Sequence, residues 1–86
     1  MTRAKITIGG SVGLHARPAA SFVRASEQFS SEVRLVKDGM RVNGKSILAI
    51  LTLAAERGSE VVLEVDGDDE HEAMDVLKVK LENTDG

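Results

Sequence analysis

The hydrophobic period of this 86-residue chain switches repeatedly between two and 3.6, and the order of the switches restricts the fold more than any other feature does. In residues 2–8, TRAKITI, Ala4, Ile6 and Ile8 face one way and Arg3, Lys5 and Thr7 the other, the pattern of a half-buried strand. GGSVG breaks that strand, and a helix is expected from about Ala16 to Gln28, with Ala19, Phe22, Val23 and Ser26 on its apolar face. Alternation returns at Val33 and Leu35. The pair Asp38-Gly39 then turns the chain into a short strand at Met40–Val42. Asn43-Gly44 interrupts again, and Ser46 is placed to cap a second, short apolar helix, ILAILTLAA, which stops near Gly58. Val61, Leu63 and Val65 mark a last strand. DGDDE opens a final helix whose apolar stripe is Ala73, Met74, Leu77 and Leu81. The order is β-α-β-β-α-β-α. With polar residues on the outer strand positions (Arg3, Lys5, Arg34, Glu64), the expected fold is α+β: an antiparallel sheet with helices on one face and solvent on the other.

Eighty-six residues without repeat, linker or low-complexity segment indicate one domain, residues 1–86, with a modest core and no room for a large active-site cavity. The absence of cysteine removes disulfides and thiolate metal sites, and it suits a reducing compartment. A net charge of −3, with two Phe and neither Tyr nor Trp, argues against a nucleic-acid partner. The longest apolar run, Ile47 to Ala55, is too short to span a bilayer, and residues 1–20 lack a signal-peptide core. A cytoplasmic monomer without a membrane partner is expected.

One motif matches strongly and is rejected. GMRVNGKS, Gly39 to Ser46, satisfies the phosphate-loop pattern G-x-x-x-x-G-K-[ST] letter for letter. That motif needs a parallel sheet buried on both faces, and a pliable loop where Met40-Arg41-Val42 shows strand-like alternation. A hairpin strand, a turn and a helix cap account for it better, with nucleotide binding as the remote alternative. Gly9, Gly10 and Gly13 lack dinucleotide-fingerprint spacing and read as turn glycines. The acids Asp66, Asp68, Asp69, Glu70 and Glu72 lack the glycine of a calcium loop and suit a helix start, so neither metal nor cofactor is expected. His71, among those acids, is expected at the surface.

The stretch Gly13–Ala20, GLHARPAA, holds the chain's one proline. His15 falls near the N-cap of the first helix, where the N–H groups of Ala16 and Arg17 have no helical partner and carry the positive end of the helix dipole. Pro18 occupies the first turn, where a missing N–H costs nothing, and it restricts Arg17. Arg17 adds a planar fork of donors suited to phosphate, and Ala16, Ala19 and Ala20 leave the ring open to a macromolecule. An imidazole beside an anion site suits a histidine that receives a phosphoryl group and passes it on. The alternative reading of the same spacing is a cap-region histidine with no chemistry.

GLHARPAA followed by Phe22, then GKSILAIL some thirty residues on, resembles the HPr family, the histidine-containing phosphocarriers of the bacterial sugar phosphotransferase system. The similarity covers nearly the whole chain. It implies an open-faced β-sandwich of four antiparallel strands under three helices. It implies that His15 takes a phosphoryl group on Nδ1 from phosphorylated enzyme I and hands it to an EIIA domain of a sugar permease, with Arg17 and the Ala16 and Arg17 N–H groups steadying the phosphate. Such a protein is a carrier intermediate rather than a free-standing enzyme. Ser46 matches a position phosphorylated by the HPr kinase/phosphorylase in many Gram-positive bacteria, although a serine N-cap needs no regulation to justify it. By position, Ile47, Leu48 and Leu51 would form a docking patch near Ala16, Ala20, Arg24 and Lys45. Val12, Ala54 and Glu27 depart from the commonest family pattern, where Asn, Gly and a basic residue are frequent, and leave partner preference open. The alternative function is a regulatory module acting through Ser46 phosphorylation and docking on a catabolite-control transcription factor.

Overall fold

The structure, a computed structural model, describes residues 1–85. Seven elements follow in the expected order: β1 (Thr2–Thr7), α1 (Ala16–Ser26), β2 (Glu32–Lys37), β3 (Met40–Asn43), α2 (Ile47–Thr52), β4 (Glu60–Asp66) and α3 (Glu70–Glu82). The strands form one sheet in the order β1-β4-β2-β3, every pair antiparallel. β4 is therefore central although it comes last, and β1 and β3 are the edges.

Alternation along each strand decides which face is dry. Ile6, Val33, Leu35, Val61, Leu63 and Val65 point into a core closed by Ala19, Phe22 and Val23 of α1, Ile50 of α2, and Ala73, Met74, Leu77 and Leu81 of α3. Three helices thus cover one face, and the fold is the α+β open-faced β-sandwich expected from the sequence. Asp38 (φ 51°) and Gly39 (φ 81°) both take left-handed backbone, the requirement of a two-residue turn whose twist matches the β2–β3 hairpin. This hairpin, in register from Arg34↔Asn43 to Lys37↔Met40, occupies the segment that mimics a phosphate loop. Residues 40–43 are strand, so no pliable cradle exists there.

Element ends differ from expectation for local reasons. Ile8 leaves the β1 ladder to exchange backbone hydrogen bonds with Gly58 and Ser59. Helix α1 stops at Ser26 rather than Gln28: the Ser26 hydroxyl donates back to the Phe22 carbonyl at 2.9 Å, and Gln28 and Phe29 bond only three residues back. Helix α2 stops at Thr52 rather than Ala55, because Leu53 and Ala54 also bond three residues back and Ala54 turns to φ 52°.

Glu64 requires a larger correction. It lies on the outer face as expected, yet it is only 2% exposed. Arg3 of β1 donates to it from Nε at 2.9 Å, Arg41 of β3 at 3.0 Å and Arg34 of β2 at 3.3 Å. The Arg41 guanidinium, followed by Arg34 and Arg3, holds the carboxyl down at about 2 against the cost of burial. The central position of β4 brings cations from all three other strands over this one side chain.

Candidate functional site at the start of helix α1

The turn before α1 is built to hold a residue still without touching its side chain. Gly13 has φ 75°, and a Cβ there would lie 2.8 Å from the Arg57 nitrogen. Leu14 is buried, and its N–H donates to the Ala55 carbonyl at 2.9 Å. His15 follows as N-cap with extended backbone (φ −85°, ψ −169°) and an exposed side chain that makes no capping bond. Its carbonyl accepts the first helical bond, from Ala19 at 2.8 Å. Between them, Pro18 has no N–H, and the N–H groups of Ala16 and Arg17 have no partner among the described residues. The residues singled out in GLHARPAA are therefore brought together as the sequence suggested: an exposed imidazole, an exposed guanidinium and two unpaired backbone donors at the positive end of an 11-residue helix.

Two depressions flank the ring. One, of about 650 Å³, is lined by Val12, His15, Ala16, Arg17, Pro18, Thr84 and Asp85. The other, of about 210 Å³, is lined by Leu14, His15, Leu51, Ala54, Ala55 and Glu56. Sequence reasoning missed the contribution of the chain's last residues. The Thr84 hydroxyl donates to the Gly9 carbonyl at 2.7 Å, and the Asp85 carboxylate accepts from the Ser11 N–H at 3.0 Å and its hydroxyl at 2.7 Å. Those bonds, the Ser11 hydroxyl foremost, lower the Asp85 carboxyl below the usual range. Gly9 is tied to the same closure: a Cβ on it would lie inside the Glu82 carbonyl. No short-range signal announces these contacts, since they join residues more than seventy positions apart.

At the second helix start, the Ser46 hydroxyl accepts from the Ala49 N–H at 3.2 Å, the capping arrangement expected of it. Ile47, Leu48 and Leu51 are exposed on α2, Leu48 by 79%, and Leu51 borders the second depression beside His15. Ala16, Ala20 and Arg24 follow one another at four-residue spacing along one side of α1. Lys45 does not join them at the His15 rim. Its ammonium donates to the Phe29 carbonyl at 2.7 Å, and its side chain lines a separate depression with Arg34 and Arg41. The turn at Asn43-Gly44 directs it there: Gly44 packs on Val33, and the Asn43 side chain accepts from the Lys45 N–H. His71 is exposed, as expected.

Comparison with known proteins follows the same lines. A family model described as the phosphotransferase-system HPr component phosphorylation site matches residues 2–83. The phosphocarrier protein HPr of Neisseria meningitidis is 47% identical, over 90% of this chain and 86% of that protein. The HPr-like protein Crh of Bacillus subtilis is 46% identical, over 90% of this chain and 91% of that protein. Among solved structures, an HPr from Thermoanaerobacter tengcongensis superposes with a TM-score of 0.91 at 44% identity, covering 95% of this chain and 92% of the other. A crystal structure of the Bacillus subtilis Crh (TM-score 0.76, 43% identity, covering 94% of this chain and 93% of the other) is described as an intertwined dimer with a swapped domain. A relative this similar dimerises, so the expectation of a monomer is withdrawn. Family model, relatives and superposition agree over nearly the whole length, and the chain belongs to the HPr family of the phosphotransferase system.

Proposed function

We propose that the chain is a phosphocarrier in which His15 accepts a phosphoryl group from phosphorylated enzyme I and passes it to EIIA domains of sugar permeases. The observation that carries this reading is the uncapped start of α1, where an exposed imidazole adjoins two unpaired N–H groups and the Arg17 fork. In the transfer, the Nδ1 lone pair attacks phosphorus. The N–P bond forms as the bond to the donor breaks, and the same atoms run in reverse order toward the acceptor. Ala16 and Arg17 N–H groups hold the phosphate oxygens by backbone donation, and the Arg17 guanidinium adds charge. Ile47, Leu48 and Leu51, with Ala16, Ala20 and Arg24, form the docking surface around the ring. A cytoplasmic location goes with that donor.

A second reading, favoured by the similarity to Crh proteins, is regulation through Ser46. A phosphate there would add about two negative charges next to Ile47 and Leu48 and hinder docking on enzyme I. The HPr kinase/phosphorylase would add it, and a catabolite-control transcription factor would read it. The presence of His15 favours transfer as the primary role, since a purely regulatory relative has no need of it.

Incubation with phosphoenolpyruvate and an enzyme I proven active on another carrier, followed by mass spectrometry after acid and alkali, tests the proposal. The expected product is an acid-labile, alkali-stable phosphate on His15. A phosphate acquired elsewhere, or none, refutes it.

A further inference from the structure

The open face of the sheet carries a charge arrangement that phosphoryl transfer at His15 does not use. Arg3, Arg34 and Arg41 converge on the single buried carboxylate of Glu64. Among the described residues, the other acid paired with them is Glu32, which accepts from Arg34 Nη1 at 3.2 Å and is itself exposed. Three guanidiniums thus meet two carboxylates. Lys45 adds a further ammonium, held in place by the Phe29 carbonyl. Since the chain as a whole is acidic, at net charge −3, this local excess of positive charge does not follow from composition.

Beside the cluster lies a depression of about 500 Å³ lined by Ser30, Glu32, Arg34, Arg41, Asn43 and Lys45, among others. The volume is in the range of small-ligand sites, roughly 300–1,000 Å³. Three of its lining side chains are cations. Asn43 spends its carbonyl oxygen on the Lys45 N–H, which leaves its amide donors for a ligand. Glu64 fixes both arginines from behind, so little side-chain entropy remains to be lost on binding. Donors spread over two strands, the loop after α1 and the turn after β3 suit an anion with several oxygens and more than one charge, rather than a single carboxylate. With neither tyrosine nor tryptophan, and with Phe22 buried and Phe29 half-buried, a stack of bases has little to rest on. We propose that this depression, formed by Arg34, Arg41, Lys45, Asn43 and Ser30, is a binding site for a small phosphorylated metabolite bearing two or more negative charges. It shares no lining residue with either depression at His15.

The test is an amide chemical-shift titration of the full chain with inorganic pyrophosphate and with glucose 6-phosphate, at ionic strength held constant with sodium chloride. Saturable shifts are expected at residues 30–34 and 41–45, with affinity about tenfold lower in Arg34→Gln. Lys45→Gln, which lies outside the Glu64 network, should weaken binding several-fold even if Arg34→Gln disturbs the sheet. Shifts reproduced by sodium chloride alone, shifts confined to Ala16 and Arg17, or affinity undiminished in Lys45→Gln would each overturn the proposal. Tighter binding of a heptaglutamate peptide than of pyrophosphate would overturn it too, in favour of an acidic protein surface.

Discussion

Helices α1 and α2 pack against each other and begin in opposite ways. At α1, among the described residues, the cap side chain His15 has no hydrogen-bond partner, and neither do the first two N–H groups of the helix. At α2 the cap side chain, Ser46, spends its hydroxyl on the Ala49 N–H. The first start leaves its backbone donors and its cap side chain unspent; the second uses its cap side chain for stability. Removing the His15 side chain should therefore cost function and no stability, and removing the Ser46 hydroxyl should do the reverse. The largest expected effect is that of His15→Ala, which abolishes phosphoryl acceptance from enzyme I while urea unfolding stays within about 0.5 kcal/mol of the parent. Acceptance that survives on another residue would end the functional half of the contrast.

The uncapped start depends on the turn that delivers it. Gly13→Ala forces a Cβ into left-handed backbone against Arg57 and Glu56, which should cost about 2 kcal/mol and loosen the Leu14 anchor. Denaturant unfolding measures the cost, and faster exchange of the Leu14 amide reports the anchor. A variant as stable as the parent would mean that Gly13 is not what holds His15. Arg17→Lys is milder: the charge stays and the planar fork goes, so transfer should slow about tenfold, near 1.4 kcal/mol. An unchanged rate in a rapid-quench assay would remove Arg17 from the site.

Much of this contrast was legible in the residues. The glycine break before α1 with Pro18 in its first turn, and Ser46 ahead of an apolar run, are local signals, and local signals marked both helix starts correctly. What escaped is whatever depends on strand order. Alternation placed Glu64 on the wet face, and nothing local says that β4 inserts between β1 and β2 and so receives Arg3, Arg34 and Arg41 from three other strands. Nor does any local pattern reveal that Asp85 returns to Ser11, or that a turn carries Lys45 away from the His15 rim. Periodicity fixes which way a side chain faces; it does not fix which neighbours fill the space above it.

Ser46 permits the contrast to be crossed. Ser46→Ala loses the cap and should cost about 1 kcal/mol, with His15 phosphorylation intact. Ser46→Asp keeps a good capping oxygen, so stability should hold, while the added charge beside Ile47 and Leu48 slows transfer from enzyme I. If both variants transfer normally, the charge at this helix start does not reach the docking surface, and regulation there loses its physical basis.

The smallest effect concerns the far end of α2, where Ala54 borders the depression beside His15. Ala54 has φ 52°, a left-handed conformation that follows the last helical turn and favours glycine. The alanine carries strain of about 1 kcal/mol, partly offset by the freedom a glycine would add to the unfolded chain. Ala54→Gly should therefore stabilise by about 0.5 kcal/mol in urea unfolding. If the end of α2 and the start of α1 are mechanically separate, phosphoryl acceptance will not change with it. A change in transfer rate without a change in stability would instead mean that the Ala54 methyl contacts partners directly, joining the end of α2 to the surface around His15.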